Sequence, residues 1–136
     1  MTQIDFEDRL LEFIDTLGIE FPTYADSNDV SSSISVVRMP GSRTIAEDFE
    51  GNKDKAFNYF IQIKCDQTER QTAVLAIETL ADELDDVLDI ESKNGSYEYL
   101  GTTISSEPYF MGESTDGSLF FRLMFNTNLS IKGDIK

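Results

Sequence analysis

The chain has 136 residues with a hydrophobic content of 40%, enough for one domain with a core of its own. Its 26 acidic residues against 11 basic ones give a formal net charge of −15. Such a balance lacks the cationic face that sequence-independent nucleic-acid binding needs, and an anionic membrane leaflet repels it. One cysteine excludes an intramolecular disulfide, and the absence of histidine removes the usual acid–base residue. The start, "MTQIDFEDRLLEF", is acidic and amphipathic, without the basic flank and apolar block of a signal peptide. No apolar run approaches the ~20 residues of a membrane span. A soluble protein, intracellular at synthesis, is expected.

The first segment predicts a helix. Thr2 and Asp5 make a capping-box-like start, and Phe6, Leu10, Phe13 and Leu17 recur at helical spacing, with Leu11 and Ile14 widening the stripe. Gly18 is a natural stop. A polar connection, "IEFPTYADSNDVSSS", follows. Residues 33–39 form a short β-branched strand closed by Pro40-Gly41. Residues 56–65 alternate, placing Phe57, Tyr59, Ile61, Ile63 and Cys65 on one face, and Asn58, Phe60, Gln62 and Lys64 on the other.

The clearest element is the second helix. Thr68 and Gln71 read as its capping box, and Ala73, Ile77, Leu80, Leu84 and Leu88 as its apolar stripe. "SKNGS" ends it. Residues 97–106 predict a third strand, "EPYFMGESTDGS" a connection with a turn at Asp116-Gly117, and 119–131 a last strand with Leu119, Phe121, Leu123, Phe125, Leu129 and Ile131 on one face. The order α-ββ-α-ββ predicts an α+β fold: a mostly antiparallel four-stranded sheet with two helices packed on one face.

Three features stand apart from this frame. The stretch between the first two strands, about residues 40–56, is polar, lacks a helical period and holds one aromatic, Phe49. Structureless connections beyond ~12–15 residues are uncommon in compact domains unless functional or disordered. Glu78, Asp82, Asp85, Asp86 and Asp89, followed by Glu91, decorate the outer face and end of the second helix, where carboxylates oppose the helix dipole. They read as a solvated face, a charged wall, or a complement to basic patches on a neighbouring subunit. Phe60, Phe120 and Met124 have the parity opposite to the core set, which suggests an apolar interface on the far face of the sheet unless the N-terminal connection covers it.

Catalytic patterns are missing. Cys65 ends the core-facing parity of its strand and reads as a buried thiol with no histidine to pair with. There is no nucleophile elbow and no phosphate loop. "DSNDVSSS" lacks the Gly and terminal Glu of an EF-hand loop. The expectation is a protein without catalysis, cofactor or metal.

Two stretches, "VVRMPGSRTIAEDFEGNKDKAFNYFIQIKCDQTERQTAVLAIETLADELDDV" and "NGSYEYLGTTISSEPYFMGESTDGSLFFRLMFNTNLSI", resemble the minor capsid or tail-terminator (head–tail joining) proteins of long-tailed bacteriophages. The resemblance lies in the ordered set over about residues 34–131: a strand with an Arg-x-Pro-Gly end, a charged loop, a Tyr/Phe strand, a helix, then "NGS" with an aromatic, and a closing strand pair. It implies a single domain over 1–136 with a protruding loop at about 40–56. The family's role would be a structural virion protein, made in the bacterial host cytoplasm, that forms a ring, commonly hexameric. That ring caps the tail tube and meets a head-completion protein, and DNA passes through without specific binding. On that resemblance the loop residues Arg43, Asp48, Phe49, Glu50, Lys53 and Lys55 would form an assembly arm with Phe49 as its anchor. The other readings are a different phage neck or head-completion protein, and a monomeric acidic protein-binding module.

Overall fold

A computed structural model describes residues 4–19, 21–25, 32–47, 49 and 51–131 of the chain. Thr2, Asp48 and Glu50 lie outside the described residues. Helix α1 (Phe6–Asp15) buries Phe6, Leu10 and Ile14, one every fourth residue, while Leu11, Phe13 and Leu17 pack partly against the core. Asp5, at its N-cap, makes no side-chain cap. Its carboxylate instead accepts hydrogen bonds from Ser92 Oγ at 2.7 Å and the Lys93 amide at 2.9 Å. Gly18 closes the turn after the helix with φ 71°, a conformation that costs glycine little.

The four long strands are β2 (Ser33–Glu47), β3 (Lys53–Cys65), β4 (Tyr97–Glu113) and β5 (Leu119–Ile131), and they pair with one another antiparallel. The connection before β2 contributes a short fifth strand, β1 (Thr23–Ala25), which runs parallel to β2 at Ile34–Val36. The sheet order is β1-β2-β3-β5-β4. Both helices lie on one face of it, and the expected α+β architecture stands.

Strands β2 and β4 run well past their expected ends at residues 39 and 106. Pro40 reads as a stop in the sequence and Pro108 lies in the stretch read as a connection, yet each falls within a register shift, between Met39 and Arg43 and between Ser106 and Tyr109. A bulge on an edge strand tolerates a residue that cannot donate to the ladder. β2 beyond the short β1 and the whole of β4 are such edges.

Helix α2 (Arg70–Asp86) follows a 3-10 turn at Gln67–Glu69. The capping box belongs to Asp66 and Glu69 rather than Thr68 and Gln71. Asp66 accepts from the Thr68 amide at 3.0 Å, and Glu69 Oε1 from the Asp66 amide at 3.2 Å. Ala73, Ile77, Leu80 and Leu84 are buried as expected. Leu88 is not: Val87 leaves the helix at ψ 133°, and Leu88 is 94% exposed while Ile90 turns into the core. A last turn holding Glu83, Asp85 and Asp86 with no basic residue opposes the helix dipole and favours this early exit.

Between the helices and the sheet, the odd-numbered residues of β3 and β5 form the core, with Tyr59, Ile61, Ile63, Leu123 and Phe125 all fully buried. Burial of each such side chain contributes about 1.5–3 kcal/mol. Phe6 ties α1 to this layer, its ring 5.6 Å from Tyr59 and 5.7 Å from Tyr97, edge-on to the latter. Cys65 is buried at the end of β3.

Candidate assembly surfaces

The stretch expected as a structureless loop at about 40–56 is a paired ribbon. β2 and β3 stay paired to Glu47↔Lys53, with shifts after Met39 and Thr44, so only residues 48–52 lie beyond the last pair. On its other side β3 pairs with β5 as far as Lys53↔Ile131. The β2 half of the ribbon is therefore a free edge, and residues 40–47 are exposed throughout. Gly41 (φ 104°) supports the bulge, and its carbonyl accepts from Asn58 Nδ2 at 3.3 Å.

Among the expected arm residues, Arg43 and Lys53 are exposed and Lys55 is half-buried, its Nζ 5.7 Å from the Phe57 ring centroid. Phe49 is fully exposed at the tip, and Ile45 is 52% exposed nearby. Among the described residues none shelters the Phe49 side chain.

The second surface is the face of the sheet turned away from the helices. Strand register brings Phe60 and Met124 directly opposite each other, with Val37 on the far side of Phe60. Phe120 lies on the same face, opposite Lys64. All of these are half-buried. At the centre the Arg122 guanidinium stacks 3.9 Å from the Phe60 ring centroid and donates to Gln62 Oε1 at 2.7 Å. Arg122 itself drew no notice in the sequence. Only the pairing Gln62↔Arg122 reveals it as the charge in the middle of an apolar face.

The acidic set also sits as a group. Glu78, Asp82, Asp85 and Asp86 are exposed along α2, and Asp89 and Glu91 are exposed just beyond it. Among the described residues no cluster of three or more His, Cys, Asp or Glu side chains could hold a metal ion. Burial pushes the Cys65 thiol up to about 11, with Glu69 and Asp66 adding to the effect. A thiol held protonated in this way is a poor nucleophile at neutral pH. A cleft of about 350 Å³ between α1 and the stretch after α2 is lined by Arg9, Glu12, Phe13, Thr16, Asp89, Ile90 and Glu91.

No protein-family model matches the chain, and no curated protein does. Its fold is similar to that of a solved chain from the virion of a native gene transfer agent (GTA) particle. The TM-score is 0.59 at 12% identity, over 92% of this chain and 91% of that one. A second solved structure matches with a TM-score of 0.55 at 13% identity, over 96% and 93% of the two chains. At these identities the likeness is one of fold.

Proposed function

We propose that this chain is a non-enzymatic structural protein of a long-tailed phage or phage-like particle, acting as a ring at the junction of tail and head. The observation that carries the reading is the match in fold, along nine-tenths of both chains, to a protein of a gene transfer agent virion. The sequence resemblance to tail terminators supports the finer role of capping the tail tube and presenting a docking surface to a head-completion protein.

In this role the ribbon tip, with Arg43, Asp48, Phe49, Glu50 and Lys53, contacts the tube or the adjacent subunit. The helix-free face with Phe60, Phe120 and Met124 supplies a second contact. A hexamer at −15 per copy carries about −90 before counterions, a field that keeps DNA moving through rather than adhering to the ring.

The test is solution mass by light scattering, with negative-stain images, alone and after adding polymerised tail tubes. Closed rings, alone or on tube ends, support the reading. Rings that seat only on a head connector would make it a head-completion protein. A monomer that ignores tubes and binds a basic protein in a salt-sensitive way would favour the acidic-module reading, for which the exposed carboxylates of α2 are the specific observation.

A further inference from the structure

The charge of this molecule is sorted by layer. The two helices carry nine carboxylates (Glu7, Asp8, Glu12 and Asp15 in α1, with Glu78, Asp82, Glu83, Asp85 and Asp86 in α2) against two arginines, Arg9 and Arg70. The opposite face of the sheet is different. Five successive cross-strand rows on that face, from the row of Arg43 and Ala56 to the row of Lys64 and Phe120, place no carboxylate at any in-register position and three cations, Arg43, Lys64 and Arg122, and the acids of that face, Asp54 and Glu98, meet only in the next row at the ribbon end. In a chain with more than twice as many acids as bases this is a marked segregation. No described helix or strand lies over that face.

A second observation points the same way. The Arg122 Nε is buried yet has no hydrogen-bond acceptor, although its Nη2 is satisfied by Gln62. A buried N–H left without a partner costs about 1–3 kcal/mol, and a charged one more. The natural acceptor for a guanidinium edge is a carboxylate. The apolar surroundings, Phe60 and Met124 with Tyr109 at 39% exposure, would exclude water around such a contact.

We infer that the helix-free sheet face around Arg122 is the receiving surface for the acidic α2 face of a second copy of this chain. The two surfaces are different patches of one molecule, so the contact is head-to-tail, the kind that generates a ring when the rotation closes. The inference rests on the ring reading above and adds to it which faces meet. A back-to-back pair through the sheet faces is disfavoured, because it would set Arg122 against Arg122. The exposed Leu75, on α2, supplies apolar area for Phe60 and Met124.

The experiment uses engineered cysteines in the full chain, since the native Cys65 is buried and stays out of exchange. Variants Met124→Cys and Asp82→Cys are purified reduced, checked for unchanged melting, then oxidised separately and as an equal mixture. The expected result is a disulfide heterodimer in the mixture, at least tenfold over either variant alone, and a ladder closing at the ring size when one chain carries both. Charge reversal gives a second readout. Arg122→Glu and Asp85→Lys/Asp86→Lys should each weaken self-association by tenfold or more, and the combined variant should recover most of it. Met124→Cys homodimers in preference to mixed ones would overturn the proposal. So would wild-type rings that give no mixed crosslink, an outcome that leaves the ring reading standing and removes only this pairing. A wild type that forms no ring, alone or on tube ends, together with variants that give no mixed crosslink, removes both.

Discussion

Asp5 and Ser92 lie 87 residues apart and meet through a 2.7 Å hydrogen bond. The same carboxylate accepts from the amides of Lys93 and Asn94. One side chain thus fastens the entry of α1 to the turn that launches β4, and the "SKNGS" stretch is ordered by a residue from the other end of the chain.

Burial works against the charge on Asp5, but the hydrogen bonds from Ser92, Lys93 and Asn94 outweigh it and hold the carboxyl below its ordinary value of 3.8. A depressed folded pKa means the unfolded chain binds more protons as the pH drops, so the stabilisation is present above about pH 4 and lost below it. Asp5→Asn should cost about 1 kcal/mol at neutral pH, a figure discounted from ~1.5–3 because the site is largely solvated. It should also flatten the acid limb of stability. Urea unfolding at pH 7 and pH 3 checks this. Equal losses at both pH values would show that the charge on Asp5 is irrelevant.

Gly41 sits at φ 104° in the bulge at the base of the ribbon. A Cβ there would lie 3.2 Å from Asn58 Nδ2, and positive φ is costly for any L side chain. Gly41→Ala should cost about 1–2 kcal/mol and act locally. Amide exchange should quicken across residues 42–47 while β5 keeps its protection. Unchanged exchange in the ribbon would mean that the bulge does not depend on this glycine.

The parts of the fold that were legible in the sequence are those where one face alone decides. β5 reads as Leu119–Ile131 because its alternation is unbroken, and the α2 core set reads because Ala73, Ile77, Leu80 and Leu84 keep one stripe. What misled was local punctuation overruled by pairing. Pro40-Gly41 signals a stop, and the stretch with Pro108 reads as a connection, but on bulged edges the donors these prolines lack are not needed. Leu88 keeps the period of the helix but not its conformation. For the assembly surfaces, strand parity located Phe60, Phe120 and Met124. The carboxylate-free centre of that face and Arg122 within it needed the register of four strands, which no single segment encodes.

Tyr59 is fully buried against Phe125, ring centroids 5.5 Å apart, with its hydroxyl donating to Glu7 Oε2 at 3.1 Å. Burial, with Glu7 next in effect, pushes its phenol far above the ordinary value of 10. Burial raises Tyr97 and Tyr99 as well. Raised folded pKa values mean the unfolded chain releases these protons first, so stability falls as pH rises above about 10. Tyr59→Phe keeps the ring and should cost about 0.5–1.5 kcal/mol at pH 7, while making the alkaline limb shallower. Chemical unfolding at pH 7 and pH 10.5 is the measurement. An alkaline limb as steep as the wild type's would show that Tyr59 ionises freely in the folded state.

Phe49 is the most exposed aromatic described, at 110%, on a turn whose flanks pair at Glu47↔Lys53. Because the side chain touches no core residue, Phe49→Asp should leave the melting temperature within experimental error, in keeping with the small effects of surface substitutions away from structural features. It should nevertheless abolish contacts that use the tip. A buried aromatic anchor can cost 2 kcal/mol or more when lost, so a fall in assembly affinity of about thirtyfold or greater is expected. Phe49→Leu should retain most of it, because the anchor role needs apolar volume rather than a ring. Sedimentation across a concentration series, with and without tail tubes, reads both variants. Wild-type assembly by the aspartate variant would remove the tip from the contact and leave the helix-free face as the surface to test.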